Sequence, residues 1–548
     1  MPTDITPIHV HRRFWSGLAL LVVVLIAVGC GKRETAVEAG IRTQTLHIGN
    51  RAEPPDLDPQ TNNSLVVSFI HEALFEGLVR LANDGATIRP GVAERWEISP
   101  DGLRYTFHLR ADAAWSNGDL ITAPDFVASF ERFMNPQLGC EAVNFTYPIV
   151  GARDFVEGRI TDFGLVGVEA TDASTLEIRL RFRAPYFLSV LADKHFVPLH
   201  RSSVERFDGW NRRGGAWTKP GNLISNGPFA LTEWKPNVVV AVAKNPHYWN
   251  APAVKLNEVH FHPIEDPGTE ERAFRSGQLH VTFSLPSSKV AAYMERQAPE
   301  LHAMPLLQTN FISFMTTRAP FDDARVRQAF SLAIDRDQLL ATVLKGQGDV
   351  ASTYVRSGSG GYELPPFSRY DPATARRLLA EAGYPGGAGF PRQEFTLSSR
   401  DEDKLIYAQA LQEMWRQTLG VEVQMVPTEF KVWLDVLRNR SFALTTDGWN
   451  MTVNDPSEML ALGVTGDPNN DANWSNADYD AAFAAIEQAT TDEARRDAII
   501  MCERIIGEEV PYAPVYHSVR NFLLHPSVQG WRGNTLQVID WTAVSLHE

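Results

Sequence analysis

The residues best suited to ligand chemistry lie in one stretch, FALTTDGWNMTVNDPSE at residues 442–458. Its first five residues predict a short buried strand, and residues 447–449 then carry the chain into a loop that ends at residues 455–456. Gly448 has no Cβ to keep a ligand from the backbone, and Trp449 offers a rigid aromatic face. Hydrogen-bonding side chains follow at Asn450, Thr452 and Asn454. The pattern allows a ligand contact, but this stretch alone favours an ordinary strand end with a core tryptophan, because polar loops after strands are common.

The sequence contains none of the common catalytic motifs: no GxxxxGK[ST] loop, no GxSxG elbow and no HExxH pair. The glycine-rich segment 383–389 has no lysine to hold phosphates and favours a helix end followed by a loop. His260 and His262 would place two imidazoles on one face of a strand, but two ligands of one type make a weak metal site. We therefore predict a non-enzymatic protein without a cofactor or a metal.

Length and charge exclude several classes of protein. With 548 residues the chain is too long for one hydrophobic core and should form two or three domains. The net charge of -15 argues against nucleic-acid binding, which needs a basic face. Its three cysteines, Cys30, Cys140 and Cys502, form neither a disulfide framework nor a zinc pattern. Whether Cys140 and Cys502 pair is left open by the sequence.

The N-terminus carries a targeting signal. Two arginines precede an apolar run over residues 18–28, which is typical of a signal peptide spanning residues 1–29 and is short for a membrane span. The run ends in Ala27-Val28-Gly29-Cys30, which resembles the bacterial lipobox, in which the cysteine is acylated. We predict a lipid on Cys30 and a polar tether over residues 30–44; a plain signal peptide or a single anchor helix is the alternative.

The mature chain predicts a mixture of helices and strands. Residues 68–78 have helical spacing of apolar side chains, and a Pro/Asp/Gly turn at 99–102 joins two strands into a hairpin. Thr122 opens a helix as a capping box with Asp125. From residue 321 onward helices alternate with strands, for example a helix over 401–419 and a strand over 421–425. This alternation indicates a sheet with helices packed on it.

Several dense motifs resemble one family, the extracytoplasmic solute-binding proteins of peptide ABC importers, and especially the oligopeptide-binding proteins. They are PGVAERW (90–96), YTFHLR (105–110), WSNG (115–118), DFV (125–127), NGPF (226–229), NPHYW (245–249), FDDARVRQA (321–329) and AIDR (333–336). The similarity runs from about residue 46 almost to the C-terminus. The lipid signal, which was inferred independently, also fits this family.

The resemblance implies an α/β, two-lobed periplasmic-binding-protein (Venus-flytrap) fold with an additional inserted small domain. Lobe I would comprise residues 45–75, 185–285 and 517–548, the inserted domain residues 76–184, and lobe II residues 286–516. Such proteins close their lobes over an extended peptide, which they hold mainly through backbone hydrogen bonds. Ligand side chains occupy roomy hydrated pockets, so affinity does not require a specific peptide sequence.

The resemblance also implies site residues. Residues 448–450 match the family strand that pairs with the peptide, with Gly448 and Asn450 binding backbone and Trp449 walling the pocket. Leu65 lies where the opposite lobe contributes. Arg318 and Lys404 fall where the family places cations that meet the carboxylate of the peptide.

One position departs from the family pattern. The family aspartate that binds the peptide α-amine, three residues after the tryptophan, falls here on Thr452. Because threonine is neutral, a buried ammonium at this point would lose a charged partner, which typically costs about 3–5 kcal/mol. Either Asp447 or Asp455 replaces the missing aspartate, or the ligand has no buried amine here.

We therefore expect a lipid-anchored, extracytoplasmic receptor that captures oligopeptides and delivers them to the permease and ATPase subunits of an ABC importer. A monomer is expected, attached to the membrane through its lipid and without affinity for nucleic acid. One alternative is a binder of a non-standard ligand, such as a murein peptide, an opine-like compound or a metal chelate. Another is a signalling or chaperone lipoprotein without a role in uptake.

Overall fold

The computed structural model of the protein describes residues 34–62, 64–140, 142–399 and 402–548. The predicted signal peptide and the predicted lipid attachment at Cys30 lie outside these ranges. Within them, no helix combines the length and the apolar character needed to cross a membrane.

The first layer is a four-stranded sheet built from segments that are distant in sequence. Its strands lie in the order Thr45–Gly49, Glu258–His262, Val239–Lys244 and Phe229–Lys235. The first pair is parallel and the other two pairs are antiparallel. Helices Ala36–Thr43, Leu65–Leu74, Arg201–Glu205 and Pro267–Arg275 and the short ribbon of Val528–Gln529 with Ser545–Leu546 complete this part. One hydrophobic core joins the sheet to the C-terminal segment through Trp531 and Trp541.

Helix Leu65–Leu74 begins and ends earlier than residues 68–78, so the predicted boundaries are wrong. Ser64 caps its N-terminus by accepting a hydrogen bond from the Val66 N–H. Phe75 then adopts an extended conformation, which ends the helix before Gly77. As a result Leu65 lies at the exposed N-terminus of the helix, with 41% of its surface accessible.

A second core lies under a small antiparallel sheet. Its strands are ordered Ala93–Ile98, Arg104–Leu109, Thr175–Arg179 and Val168–Ala170, and a ribbon of Val79–Leu81 with Ile88–Pro90 lies beside them. Helices Ala123–Met134, Ala152–Val156 and Phe187–Leu191 pack in the same core. The predicted capping box at Thr122 is confirmed, because the Asp125 carboxylate accepts the Thr122 N–H at 2.8 Å. The inserted domain expected at residues 76–184 covers most of this part and stays a prediction.

The third part contains a six-stranded mixed sheet. The strand order is Gly348–Val350, Tyr512–Leu523, Leu301–Phe314, Leu444–Asn450, Gln393–Ser398 and Val423–Thr428. Its helices are Ser287–Glu295, Ala324–Leu332, Arg336–Leu339, Pro372–Glu381, Glu402–Leu419, Phe430–Arg438, Pro456–Leu460, Ala477–Gln488 and Asp492–Glu509. The long strands Leu301–Phe314 and Tyr512–Leu523 pair antiparallel, and Leu524, which follows the second of them, forms a bridge with Val281, which in turn bridges to Ile48 of the first layer. The exact domain boundaries stay a prediction.

Candidate ligand-binding cleft

The stretch that the sequence singles out forms the strand Leu444–Asn450, here called the site strand. The predicted exit from the strand at residues 447–449 is wrong. Gln308, Thr309 and Asn310 of the neighbouring strand pair with Asn450, Trp449 and Gly448, and this pairing keeps the backbone extended to Asn450. The chain leaves the sheet only after Met451, whose N–H donates to the Leu307 carbonyl.

The site strand has one partly open edge. Its other neighbour, Gln393–Ser398, is in register only with Leu444 and Thr445. In the described structure the far edge of residues 446–450 therefore has no strand partner. Thr446 and Asp447 are buried, and the Gly448 N–H donates to the Asp447 Oδ1, so only the end of this edge at residues 448–450 is accessible. Unpaired main-chain groups at a strand edge can form hydrogen bonds with an added extended chain, so this end of the strand can accept a peptide.

Two cavities meet at the end of the site strand, because Asn450 and Thr452 line both of them. The first has a volume of about 270 Å³ and lies against helix Leu65–Leu74. The second has a volume of about 1020 Å³ and lies against the small antiparallel domain. Together they form a cleft between the parts of the molecule, and we call them the first and second cavity.

The wall of the first cavity mixes aromatic and aliphatic side chains with charged ones, among them Glu76, Arg80, Lys194 and Arg520. Apolar and aromatic side chains come from Leu65, Phe69, Phe75, Phe283 and Trp541. The Arg520 guanidinium lies 4.6 Å from the ring centroid of Phe283 and donates a hydrogen bond to the Gln537 Oε1 at 2.7 Å. Burial lowers the pKa of Arg520 to about 10, which still leaves it charged at neutral pH. Burial also raises the pKa of the Glu72 carboxyl on this wall to about 8.

The second cavity is lined by both polar and aromatic groups. The small domain contributes Asn144, Phe145, Arg181 and Tyr186, and the large sheet domain contributes Trp449, Glu458, Phe483 and Arg495. The two walls approach each other through an ion pair in which Arg183 Nη1 lies 2.9 Å from Asp492 Oδ1. Val453 also packs in the core of the small domain. A ligand in this cavity would contact both parts of the protein.

Glu458 is the acidic group bonded to the main chain at Thr452. Its carboxylate accepts the N–H groups of Thr452 at 3.0 Å and of Val453 at 2.8 Å. The Trp449 indole N–H lies 3.4 Å from the Glu458 Oε1. Burial raises the pKa of Glu458 to about 7, and the two N–H groups act in the opposite direction. Glu458 therefore changes its charge near neutral pH in the second cavity, next to Thr452.

The two aspartates that could replace the missing acid are engaged by the protein itself. Asp455 lines the second cavity, but its Oδ1 lies 2.8 Å from Arg495 Nη2 and also caps helix Pro456–Leu460. Asp447 is buried and lines neither cavity. It accepts hydrogen bonds from the Ser313 hydroxyl at 2.8 Å and from the Gly448 N–H at 2.7 Å. Burial raises the pKa of Asp447.

Comparison with known proteins places this cleft in a family. The model of the bacterial extracellular solute-binding proteins, family 5, matches residues 87–471. The chain belongs to this family. It is 32% identical over 528 residues to the periplasmic oligopeptide-binding protein OppA of Escherichia coli, covering 93% of this chain and 94% of that protein. It is also 32% identical over 500 residues to the probable deoxycholate-binding periplasmic protein YgiS of Escherichia coli, covering 89% and 90%.

Solved structures of the family agree with the fold. The murein tripeptide binding protein MppA of Escherichia coli superimposes with a TM-score of 0.77 at 30% identity, covering 92% of this chain and 98% of that one. The predicted family and the two-lobed α/β fold are thereby confirmed. Family 5 solute-binding proteins bind ligands and are not enzymes, so the non-enzymatic prediction is confirmed as well.

Three of the residues predicted from the family pattern lie outside both cavities of this family 5 protein. A Cβ at Gly448 would lie 3.1 Å from the Thr309 carbonyl oxygen, so close packing against the neighbouring strand already favours glycine there. Arg318 lies in an exposed loop. The Lys404 ammonium lies 5.8 Å from the ring centroid of Trp433 and acts electrostatically on Asp447. By contrast, Leu65, Trp449, Asn450, Thr452 and Asp455 line the cleft.

Sequence reasoning missed Glu458, Arg495 and Arg520. For Glu458 a signal was present, since Asp455 and Glu458 have the spacing of a capping box at the start of a helix. In the structure Glu458 turns back toward the preceding main chain, but its carboxylate accepts the N–H groups of Thr452 and Val453 and not the N-cap N–H of a capping box. Arg495 and Arg520 had no local signal, because their partners Asp455 and Gln537 are distant in sequence.

Proposed function

We propose that this family 5 protein binds peptides in the cleft between its lobes and delivers them to the permease of an ABC importer outside the cytoplasm. The observation that carries the proposal is the open edge of the site strand, which ends where the two cavities meet. A peptide added to this edge would form backbone hydrogen bonds whatever its sequence. The second cavity, of about 1020 Å³, then has room for its side chains.

The cleft residues have distinct roles in this proposal. Asn450 and Thr452 contact the ligand from the end of the site strand, and Leu65 contacts it from helix Leu65–Leu74. Trp449 forms an aromatic wall of the second cavity. Glu458 holds the ammonium group of the ligand. Asp455 is not available because it pairs with Arg495, and the side chain of Asp447, itself a site strand residue, is buried. Arg318 and Lys404 are proposed partners for the carboxylate of a ligand that extends beyond the two cavities.

The proposal includes the location of the protein. The relatives are periplasmic by name, which fits export through the signal peptide predicted at residues 1–29. A lipid on Cys30 would hold the mature protein at a membrane beside its permease and ATPase subunits. Closing of the lobes around the ligand would present a single shape to the permease.

Native mass spectrometry tests the proposal directly. The protein is expressed without residues 1–29, purified gently and then denatured, and the released molecules are identified. We expect a mixture of short peptides, because backbone recognition does not select side chains. Release of one non-peptide compound, or of nothing even after incubation with peptide mixtures, would contradict the peptide receptor.

A second candidate ligand is an amphipathic carboxylate without an amine. The first cavity combines aromatic side chains with three cations, Arg80, Lys194 and Arg520, and the Arg520 Nε has no hydrogen-bond partner in the described structure. Near neutral pH the Glu72 carboxyl on the same wall can be protonated and can donate a hydrogen bond. Such a wall suits an apolar body that carries one carboxylate, as in the ligand named for YgiS. The neutral Thr452 fits this candidate too.

The Arg520→Met variant separates the two candidates. Methionine keeps much of the apolar volume but removes the charge, so binding of deoxycholate should fall about 10–100-fold if its carboxylate pairs with Arg520. Peptide binding through the site strand should change much less. Isothermal titration of both ligands against wild type and variant gives the comparison, with Arg181→Met as a control that removes an exposed cation of the second cavity. Equal deoxycholate affinity in Arg520→Met and wild type would eliminate this candidate.

A further inference from the structure

Three histidines converge on the sheet of lobe I. The parallel pairing of Thr45–Gly49 with Glu258–His262 places His47 opposite His260 and Gly49 opposite His262. Side chains alternate along a strand, and Leu46, Ile48, Val259 and Phe261 face the buried core. His47, Glu258, His260 and His262 therefore share the opposite face of the sheet. The three imidazoles are half-buried, so an ion from solvent can reach them.

The nitrogen atoms have the spacing of a metal site. His47 Nδ1 lies 3.1 Å from His262 Nε2. Two nitrogens bound to one tetrahedral Zn²⁺ at about 2.0–2.1 Å lie about 3.3 Å apart, so this pair needs little movement to bind one ion. One donor nitrogen from each of the three histidines lies within 4.8 Å of the others. The competing explanation is a hydrogen bond between two neutral imidazoles, which uses only His47 and His262.

Neighbouring groups support metal binding. Glu258 Oε2 lies 2.9 Å from His260 Nε2, so this carboxylate can orient the imidazole or act as a fourth ligand. His280 is buried behind the cluster, and its Nδ1 accepts the main-chain N–H of His47 at 3.0 Å. The rings of His47 and His280 stack with centroids 5.8 Å apart. These contacts hold the strand and the ring of His47 in place.

We propose that His47, His260 and His262, with Glu258, form a binding site for a divalent transition-metal ion of the Zn²⁺, Ni²⁺ or Cu²⁺ class. Imidazole ligands suit these ions, whereas Mg²⁺ and Ca²⁺ prefer oxygen ligands. None of the four residues lines the first or second cavity, so the site is separate from the peptide cleft. A bound ion would join two strands that come from distant parts of the chain and thereby stabilise lobe I.

Titration of the purified protein with ZnCl₂ tests the site. We expect one ion per chain and a rise in melting temperature on adding Zn²⁺. The double variant H260A/H262A should bind Zn²⁺ at least about 100-fold more weakly, because it removes two of three nitrogen ligands. The matched control is His108→Ala, since His108 is also a partly exposed strand histidine, with Nε2 3.5 Å from Glu97 Oε1. This control should bind as wild type does.

Two further readouts separate metal binding from effects on folding. Circular dichroism and peptide affinity of H260A/H262A should match wild type, because the cluster lies outside the cleft. The milder variant His262→Asn should weaken Zn²⁺ binding as well, and Cu²⁺ bound to wild type should show nitrogen coupling in its electron paramagnetic resonance spectrum. Unchanged Zn²⁺ affinity in the folded double variant, or a Cu²⁺ spectrum without nitrogen coupling, would overturn the proposal.

Discussion

The Glu458→Gln variant is expected to bind peptides with a free N-terminus about 10–100-fold more weakly than wild type. The change removes the negative charge that Glu458 places in the second cavity, and a hydrogen bond to a charged group contributes about 1.5–3 kcal/mol. Binding of N-acetylated peptides should stay the same within about threefold, because they carry no ammonium. Isothermal titration with both versions of one peptide measures the difference.

The pH dependence of peptide affinity is a second measurement of the role of Glu458. The pKa of Glu458 is about 7 in the free protein, and a bound ammonium favours its ionised form. Peptide affinity in wild type should therefore rise as the pH approaches 7 from below, and it should fall again above about pH 8, where the peptide α-amine itself loses its proton. The rise below pH 7 should be absent in Glu458→Gln.

Glu487→Gln is the control, because Glu487 lines the second cavity but is exposed. Equal loss for free and acetylated peptides would show that Glu458 only supports the backbone.

The Asp58→Ala variant should be the least stable of those considered, with a free energy of unfolding about 3–5 kcal/mol below wild type. Asp58 Oδ2 lies 2.7 Å from Arg132 Nη2, and both side chains are fully buried. Removing the carboxylate leaves a buried guanidinium whose remaining partners are neutral, among them the Gln60 Oε1 at 2.7 Å. Urea unfolding at constant pH, followed by tryptophan fluorescence, measures the loss.

A surface ion pair provides the control for this experiment. Arg201 and Glu205 lie one helical turn apart with Nε and Oε1 separated by 2.7 Å, and both are largely exposed. Glu205→Ala should cost less than about 1 kcal/mol, because water screens the pair. A loss for Asp58→Ala no larger than that for Glu205→Ala would show that the buried pair does not hold helix Ala123–Met134 against lobe I.

Structural features that are set by residues close together in the sequence were predictable. The helix opened by Thr122 begins as expected, because a capping box is formed by residues three positions apart. Helix Glu402–Leu419 agrees with the predicted 401–419, and the hairpin turn at 99–102 lies between Ala93–Ile98 and Arg104–Leu109. Strand ends were harder to place. Site strand residues 447–450 stay extended only because a partner strand, distant in sequence, pairs with them.

The sequence by itself determined the family, the fold class and the segment that carries the site strand, because family motifs and caps are encoded over short distances. Only the tertiary structure shows which partners engage the acids near the site strand. The sequence offered Asp455 and Asp447 as replacements for the missing aspartate, but Asp455 pairs with Arg495 and Asp447 is buried and bonded to Ser313. The tertiary structure also decided the surroundings of His47, because only the register of the paired strands brings it next to His260 and His262. Charge compensation and register both arise from contacts between distant residues, which local sequence patterns do not contain.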